Sequence, residues 1–282
     1  MRGLVRWTVR GLAVLVGLAV LAVGGLIVAS QLEISKRWTP APVAISAAAG
    51  PEAVARGERL ATVFGCTDCH GKDLRGTLYF DEPMVARLWA ANLTLDAAED
   101  SDSDIARAIR TGVVENGRAL IGMPSEAFSR LSDAEVADLI AFIRSKPRGG
   151  VRRPGAFVGP VGRLGVITGR YMTAPRKVAE ARTRPLPDFG PSFAEGRNLA
   201  RACSECHGPD LNGDAIQHAP DLVMAASYTL PEFERLLRTG VATQGRRLGL
   251  MTETAPGRFA VLSDDEIAAL HAYLTKRAEM TP

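Results

Sequence analysis

Two short stretches of the 282-residue chain carry residue types and spacing suited to covalent cofactor chemistry: Cys66-Thr67-Asp68-Cys69-His70 and Cys203-Ser204-Glu205-Cys206-His207. In Cys-x-x-Cys-His each thiol can add to one vinyl group of a porphyrin, and the adjacent histidine can reach the iron from one face. The pentads therefore predict two haem c groups, one on Cys66, Cys69 and His70 and one on Cys203, Cys206 and His207. All four cysteines lie in the pentads, so none is left for a disulfide elsewhere. Zinc ribbons and thioredoxin-like pairs also use Cys-x-x-Cys. Here the pairs stand 137 residues apart at equivalent places, and neither precedes a βαβ pattern, which argues against both.

The opposite iron face needs its own ligand, and the chain has seven methionines. An ordinary methionine fills core space. Met123 and Met251 differ because each follows the arginine of an Arg-Thr-Gly-Val run by thirteen residues, within the Gly/Pro-rich stretches Ile121-Gly122-Met123-Pro124 and Leu248-Gly249-Leu250-Met251. They are the expected axial ligands, with Met84 and Met224 as alternatives. Of the other histidines, His271 takes an apolar-face helix position that suits packing. His218 follows His207 by only eleven residues, a tight reach around a porphyrin.

The elements that position these residues are written twice. Arg56-Gly57-Glu58 leads to the first pentad and Glu195-Gly196-Arg197 to the second. Ile109-Arg110-Thr111-Gly112-Val113 answers Leu237-Arg238-Thr239-Gly240-Val241. Ser132 with Glu135, and Ser263 with Glu266, predict capping boxes that open a closing helix in each copy. Val136, Leu139, Ile140 and Ile143 then recur at helical spacing until Pro147, and Ile267, Leu270, His271 and Leu274 do so in the second copy. Shorter helices are expected at about 103–111 and 230–239, each ended by Thr-Gly, with a further helix entering each pentad from about 52 and about 192. No stretch alternates cleanly enough to predict a sheet. The expected fold class is all-α: two tandem small domains, at 51–147 and 192–282, joined by a Gly/Pro/Arg-rich linker at 148–191.

Composition fits this picture. Aromatic residues make up only 6%, thin for two independent cores, and a bound porphyrin would fill the interior. A formal charge of +3, with no lysine-rich stripe, excludes a nucleic-acid partner.

Gly11 to Leu32 is an uncharged run of 22 residues, long enough as a helix to cross a bilayer. Arg2, Arg6 and Arg10 precede it. The bias of basic residues toward the cytoplasm then predicts residues 1–10 inside, a single-pass anchor at 11–32, and a linker at 33–50 leading to haem domains in the periplasm of a bacterial inner membrane. A cleaved signal peptide, with Val28-Ala29-Ser30 as its cleavage site, is the alternative, though its apolar region is usually shorter.

With these residues in view the chain resembles the class I cytochromes c of bacteria, specifically the membrane-anchored kind with two tandem haem domains. The resemblance covers about residues 50–147 and 192–278 and rests on the two pentads with their spaced methionines. Ala91-Asn92-Leu93-Thr94-Leu95-Asp96 is also similar to a stretch in cytochrome subunits of periplasmic dehydrogenases, which usually carry three pentads where this chain has two. The resemblance implies that each ligand histidine donates its second ring nitrogen to a proline carbonyl a dozen or so residues on, a role it assigns to Pro83 and Pro220. It further implies electron transfer, not enzymatic catalysis, because His/Met ligation fills both axial positions. Electrons would pass from a dehydrogenase or respiratory donor to a carrier or oxidase. The alternatives are a dihaem peroxidase, which needs two unlike sites, and an obligate subunit that docks a dehydrogenase. No Gly-x-Gly-x-x-Gly fingerprint points to a nucleotide cofactor.

Overall fold

The computed structural model describes residues 2–280; residue 1, in the expected cytoplasmic segment, and residues 281 and 282, at the end of the expected second domain, lie outside the described residues. The fold is mostly helical and begins with one long helix, α1 (Arg2–Ile34). Its apolar side chains, such as Leu15, Leu18 and Leu21, are exposed, and Val5–Ile34 is long and apolar enough to cross a membrane. Residues 35–50 then run back over the first repeat: the Trp38 N–H donates to the Gly117 carbonyl, the Ala47 N–H to Asp102, and Ile45 is buried.

The first repeat opens with α2 (Pro51–Val63), whose proline stands in the first turn, where a missing N–H costs nothing. The pentad forms the short helix α3 (Cys66–His70). A hairpin, β1 (Leu78–Glu82) and β2 (Ala86–Trp89), follows, then α4 (Leu93–Glu99), α5 (Asp102–Thr111), α6 (Ser125–Phe128) and α7 (Asp133–Ser145). The Ser132–Glu135 capping box opens α7, and Lys146 takes the extended conformation required before Pro147. Gly57 makes the main crossing of the repeat possible. A Cβ there would lie 2.0 Å from the Asp138 carbonyl oxygen, so α2 and α7 meet backbone to backbone.

Two features correct the sequence-based expectation. The hairpin is a real sheet, extended by β3 (Phe157–Val158), which pairs antiparallel with β2. It has no period-two signal because most of β1 is exposed and its register shifts between Leu78 and Phe80. Residues 148–191, expected as a linker, also hold α8 (Pro160–Ile167) and α9 (Ala174–Thr183). Their prolines and glycines look like helix breakers in sequence. In the fold Pro160 and Pro175 occupy first turns, and Gly162 and Gly165 admit the Val85 carbonyl and the Tyr171 ring.

The second repeat repeats the plan with α10 (Ala194–Ala200), the pentad helix α11 (Ser204–His207), α12 (Leu230–Thr239), α13 (Leu250–Phe259) and α14 (Asp264–Met280). A Cβ on Gly196 would lie 2.1 Å from the Ala269 carbonyl oxygen, the counterpart of Gly57 on Asp138. Gly112 and Gly240 both end their helices in the left-handed conformation, as Thr-Gly predicts. One continuous apolar core runs through both repeats. They also clasp each other at matching points. Arg59 donates to the Val261 carbonyl and pairs with Glu266, while Arg201 donates to the Arg130 carbonyl and pairs with Glu135.

Candidate haem-binding sites

The first pentad is the single helix α3, and in the second Cys203 ends a 3₁₀ turn (Arg201–Cys203) that runs directly into α11, so in each the two cysteines and the histidine project from one short helical stretch. Gly65, left-handed, starts α3, and Gly71, also at positive φ, ends it. Cys66, Cys69 and His70 line a cavity of about 680 Å³, within the usual size range for small-molecule and cofactor sites. Met123 lines the same cavity, among apolar walls from Leu74, Ile109, Phe128, Leu139 and Phe142. In the second repeat Cys203, Leu248 and Met251 pack half-buried against the core. Met251 sits in the first turn of α13, not in a loop as its flanking glycine suggests. Met84 is exposed at the hairpin turn and Met224 is exposed in the 3₁₀ segment Leu222–Ser227. The His271 Nε2–H donates to the Tyr228 carbonyl at 2.8 Å and the ring packs on Phe233, the packing role expected of it.

The thiols are in apolar surroundings. Burial pushes Cys66 up to about 12, Cys69 up to about 11 and Cys203 up to about 12, and it raises Cys206 as well. Redox-active cysteine pairs show the opposite shift. Among the described residues the two pairs do not come together as a metal cluster. Both findings weigh against the zinc and thioredoxin-like alternatives.

Burial lowers the pKa of His70 and His207, which favours neutral imidazoles. The His207 Nδ1–H donates to the Pro220 carbonyl at 2.7 Å, as the resemblance implied. The His70 Nδ1–H donates at 2.8 Å to Ala91, not to Pro83. This corrects the assignment of Pro83, which lies in the β1–β2 turn with its carbonyl against Gly159. The inserted hairpin shifts the count. Backbone bonds give the true equivalence: the Leu93 N–H donates to the Leu74 carbonyl and the Leu222 N–H to the Leu211 carbonyl, which makes Ala91 the counterpart of Pro220. The matching Leu74 and Leu211, each buried at positive φ, are the sequence clue to that alignment. In both repeats Nδ1 is committed and Nε2 keeps its lone pair for a metal.

The flanking side chains fix these carbonyls. Asn92 is buried; its Oδ1 accepts from Thr94, and its Nδ2 donates to the Gly149 and Val151 carbonyls. Asp221 takes the same place in the second repeat, accepting from the Val223 N–H and pairing with buried Arg277.

Arg258 was not foreseen. It lies on α13, is 8% exposed, and bridges Asp68 at 2.6 Å and Glu205 at 2.5 Å. These are the same position in the two pentads, so one guanidinium joins α3 to α11. Burial alone would lower its pKa, but Glu205 and Asp68 outweigh this and hold it above the ordinary arginine value. Glu205 also lines the first cavity, so the second pentad abuts the first site. Nothing in the local pattern around Arg258 marks it, because its partners lie 190 and 53 residues away. Arg37, Arg118, Arg152 and Arg153 add basic groups to the cavity lining; the last two belong to the Gly/Pro/Arg-rich segment 148–191.

The comparisons agree with this geometry. The cytochrome c family model matches residues 54–147 and 193–278. The chain is 25% identical over 262 residues to the gluconate 2-dehydrogenase cytochrome c subunit of Pantoea cypripedii, covering 78% of this chain and 58% of that protein. It is 26% identical over 265 residues to the fructose dehydrogenase cytochrome subunit of Gluconobacter japonicus, covering 81% and 53%. It thus spans a little over half the length of these relatives.

Proposed function

This chain belongs to the cytochrome c family, and we propose that it is a dihaem relay, taking single electrons from a dehydrogenase and passing them to a carrier or oxidase at the periplasmic face of a membrane. The observation that carries the proposal is the joining of two like sites through Arg258, which ties the pentad helices at equivalent carboxylates. Bound haem supplies a reversible one-electron ferric/ferrous couple. Cys66 and Cys69, with Cys203 and Cys206, would hold the porphyrins as thioethers. His70 and His207 would bind the iron through Nε2, and Met123 and Met251 would bind it through their thioether sulfurs.

The chain's own groups have definite parts in this reading. The Ala91 and Pro220 carbonyls hold the imidazole protons at Nδ1 and orient the rings. Leu74, Phe128 and Phe142 exclude water from the first site, and the arginines on the cavity lining suit propionates. Arg258 keeps the two pentads from drifting apart. Helix α1 anchors the whole at the membrane. The dehydrogenase subunit names of the two relatives support a dehydrogenase partner, and the similarity of the two repeats weighs against a peroxidase.

Haem quantitation and an anaerobic redox titration test this. Two haems per chain, two electrons and no high-spin ferric signal are expected, and Met123→Ala and Met251→Ala should each turn one site high-spin. One haem, or rapid peroxide turnover by the intact protein, would overturn the relay. An unchanged spectrum in either variant would overturn that ligand.

A further inference from the structure

We propose that α8 lies in the lipid boundary beside α1, so that the bilayer surface fixes the orientation of the first haem-binding repeat. This rests on the reading of α1 as a retained anchor. A helix on the surface of a soluble protein normally turns its polar side outward. Helix α8 is reversed. It buries Gly162, Gly165 and Val166 and exposes Val161 at 47%, Leu164 at 53% and Ile167 at 46%. At 100° per residue these three form one stripe about 120° wide.

The position of α8 identifies what meets that stripe. Its single charged residue, Arg163, is turned onto α1, donating to Ser30 Oγ at 2.9 Å, Gln31 Oε1 at 3.3 Å and the Ile27 carbonyl at 3.4 Å. Those residues stand in the last two turns of the uncharged run, and Ser30 is fully buried. The neighbouring Ile27, Val28 and Leu32 of α1 are exposed. Whatever surrounds α1 at this height therefore also reaches α8, and for a membrane-spanning α1 that is the headgroup and acyl boundary. The hairpin turn extends the apolar surface: the Val161 N–H donates to the Met84 carbonyl at 2.9 Å, and Met84 is 60% exposed. Exposed Arg170, just beyond α8, suits anionic headgroups.

The hairpin transmits this seating to the first site. Next to β1, the Thr77 hydroxyl donates to the Cys69 carbonyl at 2.6 Å, so the sheet that touches α8 is tied to the pentad. A bilayer under α8 would then dictate which side of the first repeat a soluble partner reaches.

The test uses the full haem-loaded chain in lipid nanodiscs, with its own cysteines consumed as thioethers. Single variants Leu164→Cys, Leu21→Cys and Met280→Cys carry an environment-sensitive fluorophore, and emission with nitroxide-bearing lipid is divided by emission without it. An interfacial helix sits about 5–10 Å into the boundary, so the Leu164→Cys probe should lose roughly half its emission to a shallow nitroxide and less to a deep one. The Leu21→Cys probe should respond most to the deep nitroxide and the Met280→Cys probe to neither. Quenching at Leu21→Cys with none at Leu164→Cys would overturn the seating of α8 and leave the anchor standing. No quenching at Leu21→Cys, or loss of α1 by mass, would overturn the anchor and this inference with it.

Discussion

In the first repeat 21 residues separate His70 from the carbonyl that holds its Nδ1, and in the second 13 separate His207 from Pro220. The two bonds are nevertheless nearly equal in length. The extra residues form the β1–β2 hairpin, which loops out and returns the chain to the same ladder of backbone bonds. The hairpin then serves the first repeat alone, as the surface on which β3 and α8 settle. What fastens the carbonyl also differs: a neutral amide, Asn92, in one repeat, and a carboxylate paired with a buried arginine, Asp221, in the other. Haem-site geometry is thus held by hydrogen-bond topology and tolerates insertion, whereas residue counting does not. The interface is less symmetric than the repeats. Its central Arg258 has Ala127 as its counterpart, so one repeat supplies the charge that joins both pentads.

The comparison can be broken most severely at its shared feature. Gly57→Val and Gly196→Val each drive side-chain atoms into a backbone carbonyl at the main helix crossing, and each should cost about 4 kcal/mol or more and disturb methionine ligation in its own repeat, while the thioethers keep the haem attached. Denaturant unfolding and the ferric spectra of the purified variants check this, and unchanged stability with unchanged spectra in either would refute it. The contrast between fastenings comes next. Asp221→Ala leaves buried Arg277 without one of its partners and should cost about 3 kcal/mol. Asn92→Ala removes a helix cap and two bonds to carbonyls, for about 2 kcal/mol. Denaturant unfolding should preserve that order.

Arg258→Met tests the asymmetric bridge. Because Asp68 is 44% exposed, the loss is discounted to about 2 kcal/mol. Removing the cation also stabilises the oxidised haems, so both potentials should fall, by up to about 60 mV. A rise in either potential in a redox titration would contradict the assignment. At the acceptor carbonyls, Pro83→Ala should leave the first haem's spectrum and potential unchanged, while Pro220→Ala, which loosens the backbone at the bond itself, should shift the second by less than Arg258→Met does.

The smallest effect is acid sensitivity. Ser101 holds Asp104, and the Thr229 N–H holds Glu232, below the usual carboxylate range. Carboxylates with depressed folded values stabilise above their unfolded pKa, about 4, and lose that contribution as the pH falls through the folded value. Helices α5 and α12 should therefore weaken together in acid. Asp104→Asn should flatten only the share belonging to α5, read from unfolding midpoints across the acid range.

Much of this was legible locally. The pentads, the two capping boxes and the Thr-Gly helix ends are signals within a few residues of one another, and the fold honours each of them. The hairpin was not legible, since exposure on both faces removes alternation and its third strand comes from far along the chain. Helices α8 and α9 were hidden by prolines and glycines whose meaning depends on whether they start a helix or admit a neighbour. Pro83 failed for a related reason, because spacing was read as structure across an insertion.

The sequence by itself determined the chemistry and the repeat: which thiols and imidazoles stand together, and that the chain presents them twice. Covalent geometry fixes those facts over five residues, and helix periodicity extends them over fifteen or so. Only the tertiary structure decided that Ala91 holds His70, that Arg258 joins Asp68 to Glu205, and that α8 lies against α1. Each is a contact between residues far apart in sequence, and such contacts follow from how helices cross and where backbones can touch, which no local pattern encodes.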